Sequence, residues 1–283
     1  MRMLVTGGAG FVGANLIKRL LKDGHEVVSV DNYSTGKREN HQEGCQYHDF
    51  DLSYGFKYKV FDDEYDVIFH MAALARIQPS IKNPHKTIFN NFVSSLNVFE
   101  YARKNNTKVV YAGSSTFHHG LYSSPYAWSK FSGEELCKLY SSVYDLSTAI
   151  CRFYNVYGPH QLEEGDYSTV IGIFEKQYRE GKPLTMTANG EQRRDFTYID
   201  DIVDGLVKCS EHNFKAEFFE LGRGVNYSIN EIANMFGEDY PREYIPARKG
   251  EYDVTLADYS KAKLKLGWEP EGDIIKYIKS IIN

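Results

Sequence analysis

Apolar and polar positions along the chain change period in a regular way. Met3 to Val5 is a continuous apolar run, as a strand buried on both faces requires, and Phe11 to Leu21 then repeats its apolar positions at helical spacing. Further strands are expected at Glu26 to Val30, Val67 to His70, Val109 to Tyr111 and Thr148 to Arg152, separated by helical stretches, one of them running from Tyr126 to about Tyr144. Such alternation predicts an α/β protein on a Rossmann-type, doubly wound parallel sheet. After Tyr157-Gly158-Pro159 the texture changes to an acidic, loop-rich segment, Gln161 to Asp166, and then to shorter elements. Ser228-Ile229-Asn230-Glu231 carries a capping box for a helix to about Phe236, and Asp258 is placed to cap another before Gly267. A first domain is expected over residues 1–158, with 196–223 returning to it, and a smaller α/β lobe over 159–195 and 224–283.

The turn between the first strand and the first helix reads Thr6-Gly7-Gly8-Ala9-Gly10-Phe11-Val12-Gly13. Gly8, Gly10 and Gly13 have the spacing G-x-G-x-x-G, which gives a tight turn, lets the backbone approach a pyrophosphate and packs the helix closely. The second strand ends in Asp31, 18 residues after Gly13, where a carboxylate accepts hydrogen bonds from ribose hydroxyls. A 2′-phosphate would be repelled there, so NAD is expected over NADP, although Lys37 and Arg38 close behind offset part of that charge. The fingerprint begins on the second residue, leaving no room for a leader, so the cytoplasm is the expected compartment.

Composition narrows the picture further. A net charge of −5 across 283 residues lacks the basic excess of a nucleic-acid binder. No apolar stretch approaches the roughly 18 residues needed to cross a bilayer. Cys45, Cys137, Cys151 and Cys209 are scattered without a C-x-x-C pair, so neither a disulfide framework nor a metal site is expected. The 22 Tyr and 17 Phe read as core and subunit-interface packing.

Tyr126 and Lys130 stand one helical turn apart on one face. A phenol is a poor base at neutral pH, but a neighbouring ammonium and a cationic nicotinamide favour the phenolate, which then takes a proton from an alcohol. Ser114-Ser115-Thr116 follows the strand at Val109 to Tyr111, placing hydroxyls at the carboxyl edge of the sheet, where such folds bind ligands.

With T-G-x-x-G-x-x-G, Asp31-Asn32, Asp51-Leu52, His70-Met71-Ala72-Ala73, Asn91, Ser114 to Thr116 and Y-x-x-x-K, the chain resembles the extended short-chain dehydrogenase/reductase family. Arg152 to Pro159, Gly190 to Phe196 and Leu266-Gly267-Trp268-Glu269-Pro270 match its NAD-dependent nucleotide-sugar epimerase/dehydratase branch. The resemblance implies that Gly7, Gly10, Phe11, Val12, Gly13, Asp31, Asn32, Ser34, Gly36, Lys37, Asp51 and Leu52 hold the adenosine diphosphate half of NAD. It assigns the nicotinamide end to Ala72, Ala73, Asn91, Tyr126 and Lys130, and the sugar nucleotide to Asn155, Arg194, Arg248, Thr187 and Thr255. Helices near Asn91 to Arg103 and Tyr126 to Tyr144 pair across a two-fold axis in relatives, which implies a homodimer.

Relatives that eliminate water carry an Asp-Glu pair after the first hydroxyl residue, whereas this chain has Ser115-Thr116. The Glu of decarboxylating relatives is missing, as are the Cys and His of the 3,5-epimerising reductase. What remains is 4-epimerisation of a UDP-hexose or UDP-N-acetylhexosamine through a keto sugar, with Tyr126 as base and acid, Lys130 depressing its pKa, Ser114 sharing the proton, and NAD recycled. Alternatives are a net NAD(P)H-dependent 4-keto reductase, a 3-, 5- or 6-epimerase on a modified GDP, dTDP, CDP or ADP sugar, and a non-catalytic NAD-binding regulatory module.

Several positions depart from the branch. Only 12 positions separate Ser114 from Tyr126, about half the usual spacing, and His118-His119 replaces the usual Tyr-Gly, so Ser115 is a second candidate for the catalytic hydroxyl and the histidines are candidate acids or bases. Thr187 stands where relatives stack an aromatic ring on the base, and Thr255 where a small side chain admits an N-acetyl group. The acidic run Leu162 to Asp166 argues against a uronic acid, because it brings negative charge toward the sugar's carboxylate.

Overall fold

The structure is a computed structural model and describes residues 1–55 and 64–282. Seven parallel strands form the central sheet: β1 (Arg2–Thr6), β2 (Glu26–Asp31), β3 (Gln46–Asp49), β4 (Val67–His70), β5 (Lys108–Ser114), β6 (Thr148–Phe153) and, much later in the chain, Lys215–Leu221. Between β6 and that last strand come four short ones, β7 (Val156–Tyr157), β8 (Leu184–Thr187), β9 (Arg193–Asp195) and β10 (Thr197–Tyr198), so Lys215–Leu221 is β11. The sheet order is β11-β6-β5-β4-β1-β2-β3. Its direction of winding reverses between β4 and β1, the switch point where open α/β sheets form a crevice.

The period-2 rule explains why the strands are apolar throughout. On β1, Met3 and Val5 join one core and Leu4 the other; on β4, Val67 and Phe69 join the first and Ile68 the second. The first core is closed by α1 (Phe11–Lys22), with Leu16, Ile17 and Leu20. Ten helices follow the chain in all among the described residues: α2 (Ile77–Lys82), α3 (Pro84–Ile88), α4 (Ser94–Asn105), α5 (Pro125–Tyr144), α6 (Val170–Arg179), α7 (Ile199–Glu211), α8 (Ile229–Met235), α9 (Ser260–Leu266) and α10 (Ile274–Ile282) complete the set. The second core lies under α4 and α5, with Val98, Phe99, Leu136, Cys137 and Tyr140. Each such buried side chain contributes roughly 1.5–3 kcal/mol.

A third core, including Phe174, Met186, Phe196, Ile232, Phe236 and Ile278, draws on α6, β8, α8 and α10. Around it lie three two-stranded pairings: β10 with β7, β9 with β12 (Asn226–Ser228), and β8 with β13 (Arg242–Ile245). The capping box at Ser228 forms as the sequence predicts, its hydroxyl and the Glu231 carboxylate satisfying each other's amides. Asp258 acts one position early: its carboxylate accepts from the Ser260 amide at 3.0 Å, while Tyr259 is the cap residue of α9. Trp268 of the Leu-Gly-Trp-Glu-Pro motif is fully buried and donates from its indole nitrogen to the Asp201 carbonyl at 2.8 Å.

Candidate active site

One cleft of about 1120 Å³ runs from the glycine turn at the end of β1 to the loops around Arg194 and Arg248. Gly7 has φ +71°, and a Cβ there would lie 2.9 Å from the Ala72 backbone, so the turn passes flush against the loop after β4. A Cβ on Gly13 would stand 2.2 Å from the Gly7 carbonyl oxygen. Gly7, Gly10 and Gly13 line the cleft with Phe11 and Val12, whereas Gly8 turns into the core, where a Cβ would strike Ser29 and Ile17. The structure therefore makes Gly7, and not the Gly8 that the spacing picks, the first glycine facing the cleft. Gly10 caps α1 without a side chain, so the first-turn amides of the helix are left for an anion.

Asp31, at the end of β2, is buried and accepts from the amides of Ala9 at 3.0 Å and Tyr33 at 2.8 Å. Burial raises its pKa against the pull of those amides. Asn32, Ser34, Asp51 and Leu52 line the same end, and Asn32 donates to Asp51 at 3.0 Å. Burial pushes the Asp51 carboxyl up, but hydrogen bonds from Ser53 and Asn32 outweigh it and the net shift is downward. Gly36 and Lys37 do not line the cleft; the Lys37 amide donates to the Ala9 carbonyl at 2.9 Å, and a Cβ on Gly36 would lie 2.9 Å from that of Ala9, so both brace the glycine turn from behind. Nor does Arg38 offset Asp31: it bonds Asp49 at 2.6 Å and lies over the Tyr33 ring.

His70 joins the strand ends. Thr6 Oγ1 accepts from the Ala72 amide at 3.1 Å, so its hydroxyl donates to His70 Nδ1 at 2.8 Å. Ser95 donates to the Asn91 carbonyl, which makes its oxygen the acceptor for His70 Nε2 at 2.9 Å. The ring is therefore neutral with its proton on Nε2, and burial holds its pKa down to about 3. Asn91, in a π-helical turn (Phe89–Val93), clamps the Leu74 backbone through both amide atoms and reaches Ser129 on α5. It and Ala72 and Ala73 line the cleft, Asn91 acting as a brace between the loop and α5.

Tyr126 sits in the first turn of α5, which Ser124 caps and Pro125 opens. Its hydroxyl donates to Ser114 Oγ at 3.4 Å, and the same oxygen takes the Thr116 amide and hydroxyl. Ser114, Ser115 and Thr116 all line the cleft, and Ser114 is the one facing the phenol. Burial raises the Tyr126 pKa, while the Ser114 hydrogen bond and the charge of Arg76 lower it. Lys130 does otherwise than expected. It is buried behind the cleft wall, its ammonium 4.4 Å from the centre of the Tyr111 ring, and burial lowers its pKa to about 8 against the opposing charge of Glu134. The cation bearing on the phenol is Arg76, which motif reading missed because it lies in no fingerprint.

In the second half of the cleft, Asn155 donates to the Asp195 carbonyl at 2.9 Å and to Thr255 Oγ1 at 3.1 Å. The Asp195 carboxylate collects the amides of Arg223, Gly224 and Ala257, and so ties two loops to the strand that carries Arg194. Arg194 bonds only backbone carbonyls among the described residues, those of Arg193 and Asp253, which leaves its charge for a ligand. Arg248 stands 3.9 Å from Glu251, and Thr187 and Thr255 line the wall. The shortened loop after β5 is covered by Tyr252, whose hydroxyl meets Ser123 Oγ at 2.8 Å and whose ring stacks on His119 at 3.7 Å. His118 turns away and bonds Glu220; neither histidine lines the cleft. Glu163 and Glu164 of the acidic run are ion-paired with Arg179 and Lys176, which removes the ground for expecting a uronic acid to be repelled. Among the described residues no group of three or more His, Cys, Asp or Glu is arranged to hold a metal, and no helix is long and apolar enough to cross a membrane.

The model of the NAD dependent epimerase/dehydratase family matches residues 3–222. The chain belongs to that family. This family member is 34% identical over 310 residues to a UDP-glucuronate 4-epimerase of Thermodesulfobacterium geofontis, covering 99% of this chain and 94% of the relative. The solved UDP-glucose 4-epimerase of Thermotoga maritima, with UDP-glucose, superposes with a TM-score of 0.92 at 28% identity, over 100% of this chain and 97% of that one. The UDP-glucuronic acid 4-epimerase of Bacillus cereus, in complex with UDP-glucuronic acid and NAD, gives 0.90 at 29% identity, over 100% and 98%. NAD is the cofactor of the family, and the glycine turn, the open first-turn amides of α1 and Asp31 suit its diphosphate and ribose.

Proposed function

We propose that the protein inverts C4 of a UDP-linked sugar through a transient 4-keto sugar, with NAD bound at the glycine turn and regenerated in each cycle. The observation that carries this reading is that one continuous cleft contains the glycine turn, the Tyr126–Ser114 pair and the unpaired Arg194. Arg194 and Arg248 hold the diphosphate, for which planar guanidinium forks are suited. Asn155 and Thr255 shape the wall beside the sugar. Tyr126 accepts the proton of the C4 hydroxyl as the C4 hydride leaves, and Ser114 shares that proton. Nicotinamide supplies the hydride acceptor and donor. The keto sugar then turns over, hydride returns to its other face, and Tyr126 gives the proton back to O4. The N-terminal end of α5 helps to stabilise the phenolate, as does the charge of Arg76. Lys130 braces this wall from behind, its amine poised near neutral pH.

Residues 1–158 with 196–223 form the cofactor domain in this reading and the rest the sugar-nucleotide lobe. The exposed faces of Leu139, Val143 and Tyr144 on α5, 51%, 60% and 48% open, suit pairing with a second copy. Turnover is tested by incubating the protein with UDP-glucose, UDP-N-acetylglucosamine and UDP-glucuronate in deuterated water without added cofactor and following each by NMR. C4 inversion without deuterium incorporation is the expected result. Deuterium at C3 or C5, or a strict need for added NAD(P)H, overturns the assignment.

A further inference from the structure

The proposed chemistry leaves one charged group at the reacting end of the cleft without a ligand of its own. Arg76 follows β4 and lines the cleft with Tyr126. Among the described residues no carboxylate lies within ion-pair distance of it: Nε donates to the Ser168 carbonyl at 3.2 Å and a terminal nitrogen to the Ala75 carbonyl at 3.0 Å. A guanidinium has five N–H donors, so two hydrogen bonds leave most of the fork unused. Partly burying a charge without an opposite one is costly, and the cost is recovered when an anion arrives. Two cleft cations are differently placed: Arg248 faces Glu251, and Lys176 is paired with Glu164. Among the described residues of the cleft Arg194 also has no ion pair, but the charges of Glu251 and Asp253 bear on it, whereas no acidic charge bears on Arg76. The cleft thus offers two guanidiniums free of an ion pair, one for the proposed diphosphate and one, the less compensated, beside the phenol.

We propose that Arg76 receives a carboxylate carried on C5 of the sugar, so that the substrate class is a UDP-hexuronate. This rests on the C4-inversion reading above. C5 is bonded to C4, so a carboxylate there lies next to the oxygen that Tyr126 deprotonates. That carboxylate would oppose the phenolate unless a cation stood beside both, and the charge of Arg76 already bears on the phenol. Arginine also suits the task geometrically, since its fork pairs with both carboxylate oxygens. The acidic run leaves the Arg76 charge unmatched: Glu163 and Glu164 are held in ion pairs with Arg179 and Lys176, and Asp166, which lines the cleft, is exposed to solvent and makes no ion pair with Arg76.

The test compares kcat/KM for UDP-glucuronate and UDP-glucose, by NMR, in the parent protein and in Arg76→Ala and Arg76→Lys. The parent should favour UDP-glucuronate, and Arg76→Ala should lower the glucuronate-to-glucose ratio on the order of 10²-fold, as loss of a close charge partner does. Arg76→Lys should restore part of the ratio. NAD binding, followed by protein fluorescence, should persist in both variants and shows that they fold. An equal fall for both sugars, or a parent that favours UDP-glucose, overturns the assignment while leaving C4 inversion standing. Inversion of neither sugar by the parent overturns both.

Discussion

The two ends of the cleft are built by different means. At the end proposed to hold the cofactor the lining residues come from one stretch of backbone, Gly7, Gly10 and Gly13 within seven positions, and from Asp31 at the end of the next strand. At the sugar end they come from side chains far apart in sequence, Arg76, Tyr126, Asn155, Arg194 and Tyr252, each held by a different segment of the chain. A backbone cradle tolerates almost nothing at its glycines and is indifferent to most neighbours. A side-chain pocket tolerates substitution of any one wall and changes its specificity when that wall changes.

The largest effect should come from the sugar end, where chemistry is concentrated in one atom. Tyr126→Phe removes the hydroxyl that meets Ser114 and leaves the ring packed. Turnover of the best UDP-sugar should fall by about 10²–10⁴, with NAD binding retained. Turnover within a few-fold of the parent would remove Tyr126 from proton transfer.

The corresponding break at the cofactor end is steric. In Gly13→Ala the new methyl meets the Gly7 carbonyl, a backbone atom that cannot swing aside. Overpacking of this kind costs about 1–3 kcal/mol, and relief by moving the turn opens it away from the diphosphate. NAD affinity, measured by calorimetry, should drop by roughly 10-fold or more, whereas the same change at exposed Gly24 should leave it intact. Equal behaviour of the two variants would show that the turn is not the cradle.

This difference also decides what could be read from sequence. The cofactor end was legible because its determinants are local: a glycine spacing, a strand, a helix start. Even there, the distinction between Gly7 and Gly8 needed the structure, since both glycines satisfy a close approach and only one faces the cleft. Strands β1, β2, β4, β5 and β6 were legible from continuous apolar runs. β3 was not, because Gln46, His48 and Asp49 give an edge strand no apolar pattern. At the sugar end the placement of Tyr126 and Arg194 in the cleft was legible from motifs. Arg76 and Tyr252 were not, because what matters about them is which side chain from another loop they face. Lys130 shows the limit of spacing: one helical turn from Tyr126, it still points at Tyr111 and Glu134.

A pH titration of stability sharpens the comparison, because its most strongly shifted histidine belongs to the cofactor end. His70 is buried and neutral, with a pKa near 3 against about 6.5 in an unfolded chain. Between those values the unfolded state binds the extra proton, so stability contributed at neutral pH is lost as pH falls below about 6.5. His70→Gln, which retains polar atoms near Thr6 and Ser95, should be less stable at pH 7 but should show a shallower loss of Tm between pH 7 and 5. An unchanged slope would place the acid sensitivity elsewhere.

The smallest effect should come from the histidines that most resembled catalytic groups in the sequence. His118 turns to Glu220, beside the Arg152–Glu134 ion pair, and His119 stacks under Tyr252. The hydrogen bond between half-exposed His118 and Glu220 is worth about 0.5–1.5 kcal/mol and Glu220 keeps the Asp258 amide as a partner, so His118→Asn should shift Tm by only a few degrees and leave kcat within about two-fold. His119→Ala should act through Tyr252, loosening the cover over the shortened loop and raising KM for the sugar nucleotide more than it lowers kcat. A loss of kcat in either variant comparable to that of Tyr126→Phe would bring the loop histidines into the chemistry, and the sugar end would then hold a second acid or base beyond the phenol.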